Sequence, residues 1–159
     1  MSSTLSGTVL GFDFGTTRIG VAVGQSLTGT AAPLPPLAAR DGIPHWPALE
    51  QLINEWQPAA LVIGIPLNMD GSISDMARRA RKFANRLQER SKRPCYLMDE
   101  RLTSAEAKQI SLSRGGSHNF KQNSVDGIAA QLILESWFAS DQRIPSETRL
   151  EDLYGNGSN

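Results

Sequence analysis

Thr8-Val9-Leu10-Gly11-Phe12-Asp13-Phe14-Gly15-Thr16-Thr17-Arg18-Ile19-Gly20-Val21-Ala22-Val23 is the stretch from which the rest of the chain is read. Two apolar, β-branched runs flank a Gly15-Thr16-Thr17 corner, the pattern of two antiparallel strands joined as a hairpin. The first run ends in an acid. A carboxylate directly after Val9-Leu10-Gly11-Phe12 is costly to bury unless a metal ion or partner group meets it, which makes Asp13 a functional candidate.

Downstream, residues 31–37 carry three prolines, which cannot donate to a central ladder, so a third strand there is short or lies on an edge. Trp46, Leu49, Ile53 and Trp56 recur at helical steps after Pro44 and Pro47. Leu61-Val62-Ile63-Gly64-Ile65 reads as a buried strand closed by Pro66, with Asn68-Met69-Asp70-Gly71 as a loop. A second helix is predicted from about Ser74 to Glu89, burying Met76, Ala80, Phe83, Ala84 and Leu87, and Cys95 to Asp99 is the next strand. Thr103-Ser104-Ala105-Glu106 has the form of a capping box and opens a short helix that Gly115-Gly116 ends. The loop 115–123 leads to a last helix, capped by Asn123 or Ser124, with Val125, Ile128, Ala129, Leu132, Ile133 and Trp137 on one side. From Ser140 the chain is polar and ends Gly-Asn-Gly-Ser-Asn, so a frayed tail is expected over 140–159. Strands first, then strands alternating with helices, predict an α/β domain over residues 1–139 with a mixed sheet flanked by helices.

The 159 residues, 40% hydrophobic and 20% charged, suit one domain of ordinary globular composition. The single cysteine, Cys95, lies in an apolar run and reads as core; it cannot build a disulfide framework or a cysteine metal site. No apolar stretch approaches the roughly 20 residues a spanning helix needs, and residues 1–8 lack the features of a secretion signal. A cytoplasmic protein that does not meet a membrane is expected. Sixteen basic residues balance sixteen acidic ones, so overall charge is no argument for a polyanionic partner. Any case for nucleic acid has to be local.

Three acids stand where a chain places catalytic groups: Asp13 at the end of the first strand, Glu100 just past the last strand, and Asp126 in the first turn of a helix. Ligands of open α/β sheets bind outside the carboxyl ends of the strands, so Asp13 and Glu100 converge if their strands are neighbours, with Asp126 reaching in from a covering helix. Oxygen-only ligation suits Mg²⁺ or Mn²⁺, and two such ions about 4 Å apart can drive in-line phosphodiester displacement. Asp99 should point away from Glu100, to the opposite face. Against this stands the plain alternative that Asp126 merely complements a helix dipole.

Four blocks carry a resemblance to a known family: Gly11-Phe12-Asp13-Phe14-Gly15-Thr16-Thr17-Arg18-Ile19-Gly20-Val21-Ala22, Gly64-Ile65-Pro66-Leu67-Asn68-Met69-Asp70-Gly71-Ser72, Asp99-Glu100-Arg101-Leu102-Thr103-Ser104, and Asp126-Gly127-Ile128-Ala129-Ala130. In this order they resemble the signatures of the YqgF/RuvX family. The resemblance implies a ribonuclease H-like fold with a five-stranded mixed sheet, and a metal-binding catalytic triad at Asp13, Glu100 and Asp126. It also implies a role in maturing the 5′ end of 16S ribosomal RNA, on pre-rRNA or a ribosomal particle, with resolution of four-way DNA junctions as the older proposal. A homo-oligomer is compatible with it. One departure is that the loop before Asp126, often rich in lysine and arginine in the family, has only Lys121 over residues 115–122.

Between Ser74 and Arg93, eight basic residues face only Asp75 and Glu89. Arg79, Lys82, Arg86, Arg90 and Arg93 follow helical spacing and form either a track for a phosphate backbone or a solvated helix face. Arg18 near the first acid, and Lys121, are further candidate phosphate contacts. His118 reads as an exposed loop residue, and Trp46 and Trp56 as core anchors. Two other functions are compatible with the residues. Asp13-Phe14-Gly15-Thr16-Thr17 also matches the phosphate-1 loop of the actin and sugar-kinase superfamily, although those proteins close ATP between two domains and this chain has length for one. A non-catalytic RNA-binding assembly or transcription factor, holding RNA through the basic helix, is the other.

Overall fold

The computed structural model describes residues 7–102, 125–140 and 142–154. The first hairpin forms as the sequence predicts: β1 (Thr8–Asp13) pairs antiparallel with β2 (Arg18–Gln25), placing Asp13 opposite Gly20. β3 (Thr30–Arg40) continues the meander and ends in a two-residue partner, β4 (Ile43–Pro44). Helix α1 (Trp46–Trp56) returns the chain to β5 (Ala60–Ile65), which pairs parallel with β1. α2 (Asp75–Ser91) crosses back to β6 (Cys95–Asp99), parallel to β5, and a 3-10 turn follows over Glu100–Leu102. α3 (Val125–Ala139), β7 (Ile144–Pro145) and α4 (Leu150–Leu153) complete the described chain. The sheet order is β4-β3-β2-β1-β5-β6-β7.

Strand alternation divides the core into two layers. Leu10, Phe12, Leu61, Ile63, Ile65 and Leu97 face α1 and α2, where they meet Leu49, Ile53, Ala80, Phe83 and Leu87. Val9, Ala22, Ala60, Val62 and Met98 face α3 and pack on Ala130, Ile133, Leu134 and Trp137. α3 approaches closely because the sheet offers glycines beneath it: a Cβ at Gly11 would lie 3.0 Å from the Leu134 Cβ, and one at Gly24 would lie 2.8 Å from the Phe138 ring. Cys95 is buried in the other layer.

Local chemistry fixes the helix ends. The Ser74 hydroxyl caps α2, accepting from the Ala77 amide at 2.9 Å and donating to the Pro66 carbonyl at 2.6 Å. Gln57 and Lys92 end α1 and α2 in the left-handed region, each with its amide bonded back to the preceding turn. No helix among the described residues is long and apolar enough to cross a membrane.

One expectation is corrected. The sheet has seven strands rather than five, because β4 and β7 are two-residue strands too short to leave a periodic signal. The segment from Gln142 to Tyr154 holds β7 and α4. Its polar composition conceals one buried anchor, Leu150, and a set of backbone links: the Ser146 amide donates to the Cys95 carbonyl at 2.9 Å, and Arg81 donates to the Glu147 and Thr148 carbonyls at 2.7 Å. The Arg143 guanidinium lies 3.9 Å over the Trp137 ring. The short helix expected after Thr103, the loop 115–123 and its caps lie outside the described residues.

Candidate metal and nucleic-acid site

Neighbouring strands, the condition the sequence sets for Asp13 and Glu100 to converge, are not found: β5 lies between β1 and β6. A glycine bridges the gap. Phe12 pairs with Ile63, so Asp13 comes alongside Gly64, the next residue of β5. A Cβ on Gly64 would lie 2.7 Å from Glu100 Oε2 and 3.0 Å from its Cγ, so the Glu100 side chain lies directly over this position. The alternation that turns Val9 toward α3 also turns Asp13 there, and that which turns Met98 toward α3 brings Glu100 to the same face. Both carboxylates therefore share one face and one end of the sheet.

α3 lies over that face and begins at that end. Gly127 packs against Pro33 and the Leu34 carbonyl, Ala130 and Leu134 lie over Gly11, and the Ile133 Cδ1 sits over Gly64 beside Glu100. Leu34 pairs with Val21, which pairs with Phe12, so the first turn of α3 stands level with the end of β1. Asp126 belongs to that turn; its side chain lies outside the described residues. Among the described residues no group of three metal-binding side chains is complete.

Asp99 lies on the opposite face, as alternation predicts, and is 4% exposed. Its Oδ1 accepts from the Arg101 backbone amide at 2.9 Å and from Arg101 Nε at 3.2 Å, while Oδ2 accepts from Nη2 at 2.8 Å. This fork raises the Arg101 pKa, first through the hydrogen bond and then through the Asp99 charge. Half-buried Tyr154 is pushed up to about 12 by burial, with the Asp99 charge adding to it. Beyond β5, the loop 68–72 is tied by Asp70, whose carboxylate accepts from the Ser72 amide at 2.9 Å and hydroxyl at 2.6 Å. Those bonds hold the Asp70 carboxyl below its usual range, the hydroxyl contributing most.

The basic stripe runs along α2, on the face of the sheet opposite the two carboxylates. Several of its members are engaged: Arg79 with Asp41 at 3.1 Å, Arg90 with Glu50 at 3.2 Å and over Trp46 at 4.2 Å, and Arg93 with the Pro58 carbonyl at 3.4 Å. Lys82 and Arg86 are exposed and make no ion pair among the described residues. With Arg79, Phe14, Gly42, Pro44 and Trp46 they line a cleft of about 240 Å³. Phe14 follows Asp13, so cleft and carboxylates stand back to back near the end of β1. Arg18 opens β2 at this same end and is exposed. Lys121 and His118 lie outside the described residues.

Two features escaped the sequence reading. Gly64 stands inside a strand pattern, a signal of close approach, but the sequence offers it only as part of a buried strand and of the second signature block. Arg101 was read only as part of a motif, and nothing local marks it as the partner of a residue two positions away.

The family model RuvX, described as Holliday junction resolvase, matches residues 7–140. A protein of Chromohalobacter salexigens named "Putative pre-16S rRNA nuclease" is 57% identical over 140 residues, covering 86% of this chain and 95% of that one. Proteins of the same name from Haemophilus influenzae and Saccharophagus degradans are 53% identical over 131 residues and 49% over 140; the alignments cover 82% and 88% of this chain and 94% and 99% of theirs. Among solved structures, RuvC of Thermus thermophilus in complex with a Holliday junction substrate superposes with a TM-score of 0.58 at 15% identity, covering 87% of this chain and 98% of that one. A second structure of that RuvC gives 0.53 at 13% identity, covering 87% and 99%. The shared fold is ribonuclease H-like. With a family match across most of its length and relatives near half identity or above, the chain belongs to the RuvX family.

Proposed function

We propose that the chain is a divalent-metal-dependent nuclease acting in 5′ end maturation of 16S ribosomal RNA, with Asp13, Glu100 and Asp126 as its metal ligands. The observation that carries this reading is the placement of the Asp13 and Glu100 carboxylates on one face and one end of the sheet, with Gly64 open between them. The donors fit the group they would hold. They are hard oxygen donors suited to Mg²⁺ or Mn²⁺, and an alanine in place of Gly64 would fill the cradle over which Glu100 lies. A bound divalent ion supplies Lewis acidity, polarising the scissile phosphate and lowering the pKa of bound water. The carboxylates would hold that charge at the sheet end, beside the α3 layer that meets Gly64 through Ile133. Asp126 completes the set from the first turn of α3. The work is cytoplasmic, where ribosomes are built.

A second reading, cleavage of four-way DNA junctions, is favoured by the family description and by the fold shared with RuvC. One experiment separates the two and tests both. Purified protein is given Mg²⁺ or Mn²⁺ with either a 16S RNA bearing a 5′ extension or a four-way DNA junction, and wild type is compared with Asp13→Asn. Removing a ligand charge at the metal should lower the cutting rate about 100-fold or more on the true substrate, and chelation should abolish it. Equal cutting by the variant would overturn the assignment. Tight binding of RNA with no cleavage by either protein would instead mark a non-catalytic assembly factor.

A further inference from the structure

We propose that Arg101, clamped by Asp99, is a positioning residue that sets the direction of the Glu100 carboxylate. The inference rests on the reading of Glu100 as a metal ligand. Glu100 stands just beyond the ladder: β6 pairs with β5 only as far as Asp99 and Ile65, and with β7 only at Tyr96 and Leu97. Strand pairing therefore ends one residue before it, and a glutamate there carries several rotatable bonds. The three bonds between Asp99 and Arg101 span this one residue and close the chain around it.

The clamp has the properties that positioning requires. Asp99 is buried, so its charge needs the guanidinium, and the two-pronged geometry defines a single arrangement where a lone ammonium would not. It also reaches the neighbouring strand. A Cβ at Gly71 would lie 3.2 Å from Arg101 Nη1, and Gly71 itself occupies the left-handed region at φ +88, so the loop beyond β5 is shaped to receive the guanidinium. Arg101 thus bonds to the end of β6 while packing against the loop that follows β5, next to the strand that carries Gly64 and the turn that carries Glu100. Because it binds Asp99 on the α2 side of the sheet, it acts on the carboxylate face through the backbone.

The test compares wild type, Asp99→Asn, Arg101→Gln, Arg101→Lys and Glu100→Gln as full-length chains. Mn²⁺ affinity is read by electron paramagnetic resonance of the free ion, and kcat and KM are read on the RNA with a 5′ extension. Positioning predicts that Asp99→Asn and Arg101→Gln each weaken Mn²⁺ binding and lower kcat by about 10-fold or more, as loss of supporting groups around a metal does, with KM within about twofold. Arg101→Lys should fail to restore either quantity, since it keeps charge and loses the fork. Full rescue by lysine, a rise in KM with kcat unchanged, or wild-type Mn²⁺ affinity in Arg101→Gln would each overturn the clamp. Should Asp99→Asn or Arg101→Gln not fold, Arg101→Lys decides alone, because it keeps a cation beside the buried Asp99 carboxylate while losing the fork, and that side chain is 37% exposed. Glu100→Gln reads the underlying assignment separately. If it loses Mn²⁺ and cutting while the Asp99 and Arg101 variants keep both, the metal site stands and the clamp falls; if Glu100→Gln itself is unimpaired, the reading of Glu100 falls and takes the clamp with it.

Discussion

Gly64 does at the level of one residue what strand order alone could not: it lets an acid just past the end of β6 reach toward the acid that ends β1, across an intervening strand. Alanine there would place a Cβ 2.5 Å from the Ile133 Cδ1 and 2.7 Å from Glu100 Oε2. Ile133 is held in a packed layer, so Glu100 is the group that gives way. Gly64→Ala should therefore lower cutting at least about 10-fold while costing about 1–3 kcal/mol of stability, the usual range for overpacking. Cutting rate and urea unfolding midpoint measured together check this; a stability loss with unchanged rate would show that Ile133 moves instead.

At the level of elements, α2 and its cations pose a separate question from the carboxylates, because they occupy the other face of the sheet. Lys82 and Arg86, the two members of the stripe that make neither an ion pair nor a hydrogen bond among the described residues, are the ones able to receive phosphates without breaking an existing bond. Lys82→Gln with Arg86→Gln should weaken RNA binding most at low salt and reduce the slope of log affinity against log salt by about two. Fluorescence anisotropy across a salt series reads this, and an unchanged slope returns the stripe to a solvated helix face. Long elements with strong periodicity were legible in advance: the hairpin from Thr8, β5, α2 with its Ser74 cap, and α3 all lie where residue patterns put them. β4, β7 and α4 were not, because a strand of two residues has no period and Leu150 is a single apolar anchor in a polar segment. The split of Asp99 from Glu100 followed from alternation alone. The bridging role of Gly64 did not, since it depends on which strand lies between which, a tertiary fact.

For the whole molecule, the C-terminal segment couples overall stability to the region behind the candidate site. Tyr154 follows α4 and feels the buried Asp99 charge. Its folded pKa of about 12 exceeds the ordinary value of 10, so the native state keeps the phenol proton that the unfolded chain releases. That stabilisation is complete below pH 10 and drains away as pH rises toward 12. Urea midpoints at pH 9 and pH 11 should fall further for wild type than for Tyr154→Phe; parallel declines would remove Tyr154 from the account.

The borders of the sheet carry a last consequence. One side presents β3, with Pro33, Pro35 and Pro36, and ends in β4 with Pro44; the other ends at β7 with Pro145. Each proline withholds an amide donor, so neither margin offers the unbroken row of hydrogen-bonding groups that templates an added strand. Among the described residues, growth of cross-strand aggregates from a crowded population of this chain is thereby disfavoured at both margins, where a peptide seeking to extend the sheet meets a proline.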